Sequence, residues 1–133
     1  MGILNRLFGK DNNLEDNNKE ENQVPWIPLT SVDQLSEIKE KSGKKTQVIF
    51  KHSTTCGISR MVMNGFNASY NLSSDQVDLY YLDLQSYRSV SNEVAALFQL
   101  RHESPQLLVI KEGVVVAHDS HGGISQLDLA EFV

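Results

Sequence analysis

The sequence of 133 residues is long enough for one domain of ordinary size, since most domains contain about 100 to 150 residues. Its composition, 40% hydrophobic and 22% charged, is that of a globular protein with a core. The net charge of −5 opposes sequence-independent binding to phosphate backbones, so we expect no nucleic-acid partner. A single cysteine excludes an intrachain disulfide and a multi-cysteine zinc site.

The first 23 residues differ in composition from the rest. Residues 11–23 contain five asparagines and one aliphatic residue, Leu14, so they bury too little surface to offset chain entropy. We predict a disordered tail and linker over residues 1–23 and a folded domain over residues 24–133. Four apolar residues before the linker have the spacing of one face of a short helix, although a frayed terminus explains them equally simply: Ile3, Leu4, Leu7 and Phe8.

The hydropathy pattern predicts no membrane partner. No stretch approaches the roughly 20 apolar residues of a membrane-spanning helix, and no apolar run precedes a small-residue cleavage site. We therefore expect a cytoplasmic protein.

The folded part alternates between the periodicities of strands and helices. It begins with an extended segment over residues 25–29 and a helix that Thr30 or Ser31 can cap, closed by Ser42-Gly43. The elements predicted next are a buried strand over 47–51, a helix from about Cys56 to Tyr70, a strand over 77–84, a helix from Ser91, strands over 107–111 and 114–118 joined by Glu112-Gly113, and a last helix from Ser125. This order, β-α-β-α-β-α-β-β-α, predicts an α/β, thioredoxin-like fold with a central mixed sheet flanked by helices.

Cys56 lies just after the buried strand, where the next helix begins. Amides at a helix N-terminus favour the thiolate, which is the reactive form of cysteine. We expect His52 and Arg60 to add positive charge there and Ser59 to donate a hydrogen bond to the sulfur. A small buried hydrophobe is the alternative interpretation, but the polar loop before Cys56 offers little for it to pack against. We predict that Cys56 and Ser59 are catalytic, in a C-x-x-S pattern that permits a mixed disulfide but no internal one.

Two further features are predicted to contact a substrate. Pro105 directly precedes a strand, and in a thioredoxin-like sheet this position is a cis-proline that faces the thiol and leaves the preceding backbone free to pair with a ligand. Gly122-Gly123 precede the last predicted helix, where bare amides suit a carboxylate.

His118, Asp119 and His121 raise the question of a metal site. No further ligands occur at recognised spacing, so we predict no metal site and interpret the segment as a surface turn or a ligand-binding edge.

Several segments together resemble the monothiol bacilliredoxins, the YtxJ-like thioredoxin-fold proteins of the bacillithiol system. The resemblance spans about Leu29 to Leu129, and its most specific piece is the run Arg-His-Glu-Ser-Pro-Gln at residues 101–106. The other matching segments are FKHSTTCGIS at 50–59, SNEVA at 91–95 and SH at 120–121. The chain departs from the family at Gly57, where proline is usual, and at Gly122-Gly123, where Trp-Asn is usual.

The resemblance implies a monothiol thiol-disulfide oxidoreductase that removes bacillithiol from protein mixed disulfides through Cys56. Its partners would be S-bacillithiolated proteins, bacillithiol as thiol co-substrate, and a partner redoxin or disulfide reductase, with no tightly bound cofactor. We assign substrate binding to these residues: Thr55, Gly57, Arg101, His102, Ser104, Pro105, Gly122 and Gly123.

Two alternatives remain open at this point. Cys-Gly-Ile-Ser at residues 56–59 is similar to the Cys-Gly-Phe-Ser of monothiol glutaredoxins, which bind glutathione and iron-sulfur clusters. The second alternative is a redox-inert thioredoxin-like adaptor, in which Cys56 would be incidental.

Overall fold

The computed structural model describes residues 24–133, so the predictions made for residues 1–23 lie outside the described residues. The described chain forms a five-stranded mixed sheet in the order β1-β3-β2-β4-β5. β1, β3 and β2 are parallel to one another, whereas β4 is antiparallel to both β2 and β5. The strands are β1 Trp26–Pro28, β2 Thr46–His52, β3 Val77–Asp83, β4 Gln106–Lys111 and β5 Val114–Ser120.

Helices cover both faces of this sheet and bury a separate apolar cluster on each. The α-helices are α1 Asp33–Lys41, α2 Gly57–Ser69 and α3 Arg88–Phe98. Ile49 of β2 belongs to the cluster under α1 and α3, and its neighbours Val48 and Phe50 belong to the cluster under α2. Successive residues of a strand face opposite sides, so both clusters meet at β2, which is buried at every position. The predicted α/β architecture is confirmed.

The end of the chain differs from the prediction. In place of one helix from Ser125, the chain forms two short 3₁₀ helices, His121–Gln126 and Leu129–Phe132. Leu127 between them is extended, and the Asp128 carboxylate accepts a hydrogen bond from Ala130 N at 3.1 Å, which caps the second element. Periodicity alone predicts one helix here, but the Asp128 cap starts a second element within that segment.

Two helix starts also differ from the prediction. α1 begins after Val32, and the Gln34 side chain accepts hydrogen bonds from the backbone N–H groups of Thr30 and Ser31 at 2.8 and 3.1 Å. Thr30 or Ser31 was predicted to cap the helix with a side-chain oxygen. Instead, a side chain of the helix accepts hydrogen bonds from the backbone of these two residues. α3 begins at Arg88, three residues before Ser91, which is buried inside the helix.

The predicted hairpin turn at Glu112-Gly113 is confirmed. Both residues have positive φ, 55° and 79°, as a two-residue turn of type I′ requires. The Ser42 hydroxyl accepts a hydrogen bond from Gly113 N at 2.8 Å, which ties the turn to the end of α1.

One edge of the sheet gathers four chain segments. His52 at the end of β2 pairs with Asp83 at the end of β3, and Lys51 pairs with Gln106 at the start of β4. Gln106 also pairs with Ser120 at the end of β5. The segments that contain Cys56, Gln85, Pro105 and Gly122 all leave or enter the sheet here, and we call this the active edge.

We predict that Ile49→Val lowers the free energy of unfolding by about 0.5 to 1.5 kcal/mol, because Ile49 is fully buried and one methylene is lost. Urea denaturation measures the change. Val116→Thr, on the 44% exposed edge of β5, is the control and should change stability by less than about 0.5 kcal/mol. Equal losses in the two variants would contradict the assignment of Ile49 to the core.

Candidate functional site

Cys56 is the N-cap residue of α2, as predicted, and is a free, half-buried cysteine. Its backbone is extended, with φ −98° and ψ 124°, and its carbonyl accepts the first helical hydrogen bond from Arg60 N at 3.1 Å. The first turn of α2 contains no acidic side chain, so nothing there neutralises the partial positive charge of its free amides. The sulfur therefore lies at the positive end of a 13-residue helix.

A glutamine from the neighbouring loop holds the segment before Cys56. The Gln85 side-chain oxygen accepts hydrogen bonds from the backbone N–H of Thr54 at 3.1 Å and from its hydroxyl at 3.0 Å. The Gln85 amide nitrogen donates to the Thr55 hydroxyl oxygen at 2.9 Å. Sequence reasoning missed Gln85, although its position directly after β3, beside the end of β2, is a signal that could have identified it.

Ser59 lies near Cys56 in sequence, but its hydroxyl bonds to the loop. The residue is fully buried, and its Oγ accepts a hydrogen bond from Ser53 N at 3.1 Å and lies 3.3 Å from His52 Nδ1. In the contact between Ser59 Oγ and His52 Nδ1 either atom can be the donor, because the direction depends on which ring nitrogen carries the proton. Ser59 Oγ contacts Ser53 N and His52 Nδ1, and the expected hydrogen bond to the Cys56 sulfur is absent from the described structure.

His52 does not supply the positive charge that the sequence suggested. Burial lowers the pKa of its imidazole, and the nearby Arg60 charge lowers it further while Asp83 opposes the shift. The ring is consequently neutral at pH 7, because its pKa lies below the ordinary value of 6.5. Arg60 is exposed on the surface of α2.

The peptide bond between Ser104 and Pro105 is cis, as predicted. Pro105 immediately precedes Gln106, which pairs with Lys51 beside the end of β2, so this bond lies on the active edge with Cys56. The carbonyl of Pro105 accepts a hydrogen bond from His121 N at 3.0 Å. Neither backbone group of Ser104 has a backbone partner in the described part of the chain, which leaves both free for a ligand.

A buried lysine lies beneath the loop before Pro105. Lys51 is 1% exposed, and its Nζ lies 3.2 Å from Ser91 O and 3.2 Å from His102 Nδ1. Burial lowers the pKa of Lys51 from 10.5 to about 8. No carboxylate among residues 24–133 forms a salt bridge with it. Sequence reasoning missed this residue, whose signal is a lysine that directly follows the apolar run Val48-Ile49-Phe50 within a predicted buried strand.

His102 and Arg101, both predicted to bind substrate, are exposed on this loop. Burial of part of the ring lowers the pKa of His102, and the charges of Lys51 and Arg88 lower it further against the opposing effect of Glu103. The imidazole is therefore neutral at pH 7.

Gly122 and Gly123 are not placed as predicted. They lie in the first turn of the six-residue 3₁₀ helix His121–Gln126, rather than before an α-helix that starts at Ser125. A side chain at position 123 would collide with the Asp119 carboxylate, which packs against Gly123. Gly122 is exposed and open to solvent at the active edge.

The segment with His118, Asp119 and His121 forms the end of β5 and the turn after it. Asp119 accepts a hydrogen bond from Ser120 N at 2.8 Å, and within residues 24–133 no three potential metal-ligating side chains come together. None of the helices in that part of the chain has the length and apolar character needed to cross a membrane.

Comparison with known proteins agrees with this geometry. A family model described as monothiol bacilliredoxin BrxC matches residues 27–129. A solved structure described as an oxidoreductase with a thioredoxin fold is 34% identical, with a TM-score of 0.68 over 80% of this chain and 92% of that chain. The described part of the chain thus has a thioredoxin fold, and its relatives support a thiol oxidoreductase role.

More distant structures share the fold alone. Thioredoxin from Malassezia sympodialis is 24% identical, with a TM-score of 0.62 over 81% of this chain and 91% of that one. Thioredoxin from Trypanosoma brucei brucei is 15% identical, with a TM-score of 0.60 over 78% of this chain and 88% of that one.

We predict that Ser59→Ala acts mainly on stability. Removing the hydroxyl leaves the buried N–H of Ser53 unpaired, which costs about 1 to 3 kcal/mol of unfolding free energy in urea denaturation. Thiol exchange should slow only modestly, since no hydrogen bond to the sulfur is lost. Ser69→Ala, at an exposed serine of the same helix, is the control. Unchanged stability with exchange slowed more than tenfold would show that the hydroxyl acts on the sulfur after all.

We predict that Lys51 makes stability rise with pH above about 8. The folded state favours the neutral amine, so Lys51 opposes folding fully below pH 8, and this opposition fades as the pH approaches the ordinary value of 10.5. The wild type should therefore gain stability relative to Lys51→Met between about pH 8 and 10 in urea denaturation. Lys44→Met, at an exposed lysine, is the control. A difference that stays constant over this range would contradict burial of the amine.

Proposed function

Because the chain belongs to the monothiol bacilliredoxin family, we propose that it removes bacillithiol from oxidised protein thiols through Cys56. The observation that carries the proposal is a lone half-buried cysteine at the N-cap of α2, on the same sheet edge as a cis Ser104-Pro105 bond. This arrangement offers a sulfur for exchange and an unpaired backbone segment for the substrate beside it.

The proposed reaction is a thiol-disulfide exchange. The Cys56 thiolate attacks the bacillithiol sulfur of the mixed disulfide, and a new disulfide forms between Cys56 and bacillithiol. The sulfur bond to the substrate protein breaks, and the repaired protein leaves as a thiolate that takes a proton from water. One disulfide and one thiolate are present before and after the step, so it needs no external oxidant or reductant.

A second thiol is needed to complete the cycle. Cys56 is the single cysteine of the 133 residues, and the position three residues later holds the fully buried Ser59. The Cys56 disulfide therefore has no internal thiol to resolve it. Free bacillithiol, a partner redoxin or a disulfide reductase would regenerate the Cys56 thiolate.

The surroundings of Cys56 suit a protein substrate. Ile58 and Met61 on the first turns of α2 are 53% and 68% exposed. Exposed apolar side chains beside a reactive group favour contact with another protein surface. Ser104 can add main-chain hydrogen bonds to an extended segment of the substrate that carries the modified cysteine.

The small-thiol part of the substrate would lie toward the loop at 101–104. Bacillithiol carries malate linked to glucosamine, and exposed Arg101 and His102 can donate hydrogen bonds to its carboxylates. Thr55, Gly57 and Gly122 belong to the same edge, and we propose them as further contacts. A side chain at Gly57 would meet nothing within 4 Å, so this departure from the family leaves open space beside the thiol.

We predict faster release of bacillithiol than of glutathione from one target protein capped with either thiol. Equal amounts of enzyme are offered to each substrate, and mass spectrometry follows the free target and the adduct on Cys56. Cys56→Ser should abolish release from both substrates, because no other thiol is present in the chain.

Three results would contradict the proposal. Faster release of glutathione, or a coloured cluster-bound dimer after reconstitution with iron and sulfide, would favour a glutaredoxin-like protein. Release from neither substrate, with Cys56 unmodified, would favour a redox-inert adaptor.

A further inference from the structure

We propose that Lys51 is a positioning residue of the substrate site, which holds His102 so that its Nε2–H can bind a carboxylate of the small thiol. This inference rests on the proposed function and assigns a role to a residue that never touches the substrate. It concerns the face of the sheet under α3, at the active edge. Ser59 and its partner His52 lie on the opposite face.

The contact between Lys51 and His102 determines the tautomer of the ring. Lys51 Nζ lies 3.2 Å from His102 Nδ1, and an ammonium group can only donate hydrogen bonds. Nδ1 is therefore the acceptor, and a neutral imidazole must then carry its proton on Nε2. The Ser91 hydroxyl, 3.4 Å from Nδ1, can donate to the same nitrogen. The exposed side of the ring thus presents a donor with no protein partner among the described residues.

A second residue holds the same loop from the same face of the sheet. Gln106 is directly opposite Lys51 in the antiparallel register and is 2% exposed. Its amide nitrogen donates to the carbonyl of Arg101 at 3.0 Å. Lys51 and Gln106 therefore fix two consecutive residues of the loop, the backbone of Arg101 and the ring of His102. The side-chain oxygen of Gln106 has no partner in the described structure and adds an acceptor to this buried polar cluster.

The charge of Lys51 is costly where it lies. Its burial is nearly complete, no carboxylate of residues 24–133 pairs with it, and its two partners are a neutral carbonyl and a neutral ring. Replacement of buried charges by apolar groups of similar size is often neutral or stabilising, so stability alone gives no reason for an ammonium at this position. The hydrogen bond that holds the His102 ring is a reason for an ammonium group at position 51.

The groups around His102 suit an anion. Lys51 beneath the ring and Arg88 at the start of α3 are positive, Arg101 is its neighbour in the loop, and Glu103 is the one nearby carboxylate that acts on its pKa. The Glu103 carboxylate accepts a hydrogen bond from the hydroxyl of Ser120, the last residue of β5. A neutral Nε2–H in this field binds a carboxylate by a directed hydrogen bond, and the surrounding cations add attraction.

The test compares Lys51→Met with two variants of His102 in the release of bacillithiol from a capped target protein. His102→Gln keeps a donor near the Nε2 position, whereas His102→Asn keeps an acceptor for Lys51 but has no outward donor. We expect KM to rise about tenfold in Lys51→Met and His102→Asn, as for loss of one hydrogen bond to a charged group. His102→Gln should stay within about threefold of the wild type, and kcat should change little in all three.

A spectroscopic readout accompanies the kinetics. Two-dimensional ¹H-¹⁵N spectra of the imidazole should show His102 of the wild type as the Nε2–H tautomer, and Lys51→Met should show a mixture of tautomers. Methionine has a similar length and no charge, so the variant is expected to fold, and far-UV circular dichroism verifies this. Lys44→Met is the matched control and should leave both KM and the tautomer unchanged.

The inference is overturned by an Nδ1–H tautomer in the wild type, by an unchanged KM in Lys51→Met, or by equal losses in His102→Gln and His102→Asn. Failure of the proposed function is a different result, in which the wild type releases no bacillithiol. The same variants are then assayed with the glutathione-capped target, which also carries carboxylates, and the tautomer measurement needs no substrate at all.

Discussion

The strand β2 uses both of its hydrogen-bonding edges, pairing in parallel with β3 and antiparallel with β4. Parallel pairing brings the end of β3 beside the end of β2, and antiparallel pairing brings the start of β4 to the same place. Cys56, the loop of Gln85 and the cis Ser104-Pro105 bond therefore meet although they are far apart in sequence. The register of β2 thus fixes the site, because a shift of one residue would reverse the faces of His52 and Lys51.

At this edge the buried polar side chains on the two faces of the sheet differ in charge. On the α2 side, the Ser59 hydroxyl accepts a hydrogen bond from Ser53 N, contacts neutral His52, and so holds the loop that leads to the thiol. On the α3 side, the charged Lys51 and the amide of Gln106 hold the loop that precedes the cis-proline. Between its polar ends, β2 packs apolar residues on both faces, Val48 and Phe50 on one and Ile49 on the other.

The sequence was sufficient to predict the sheet and the helix after Cys56, because periodicity and local residue types determine these features. The cis-proline was predicted from its position in a thioredoxin-like sheet, since Ser-Pro alone favours the trans isomer. The sequence was insufficient for Ser59, whose hydroxyl contacts Ser53 N and His52 Nδ1, because these contacts depend on the folded position of the loop before Cys56. Gln85 and Lys51 were missed because their partners lie 30 to 51 residues away and depend on strand register. The last helix was mispredicted because periodicity does not distinguish one α-helix from two short 3₁₀ segments separated by an extended residue.

The fully buried serine three residues after the thiol also determines the kinetic order of the proposed cycle. A dithiol enzyme resolves its mixed disulfide by an intramolecular step, whose rate is independent of any outside concentration. Here resolution is bimolecular, so the lifetime of the loaded enzyme varies inversely with the concentration of the second thiol. When that pool is depleted, the protein accumulates in the loaded form, and its occupancy reports the supply of reducing thiol in its surroundings.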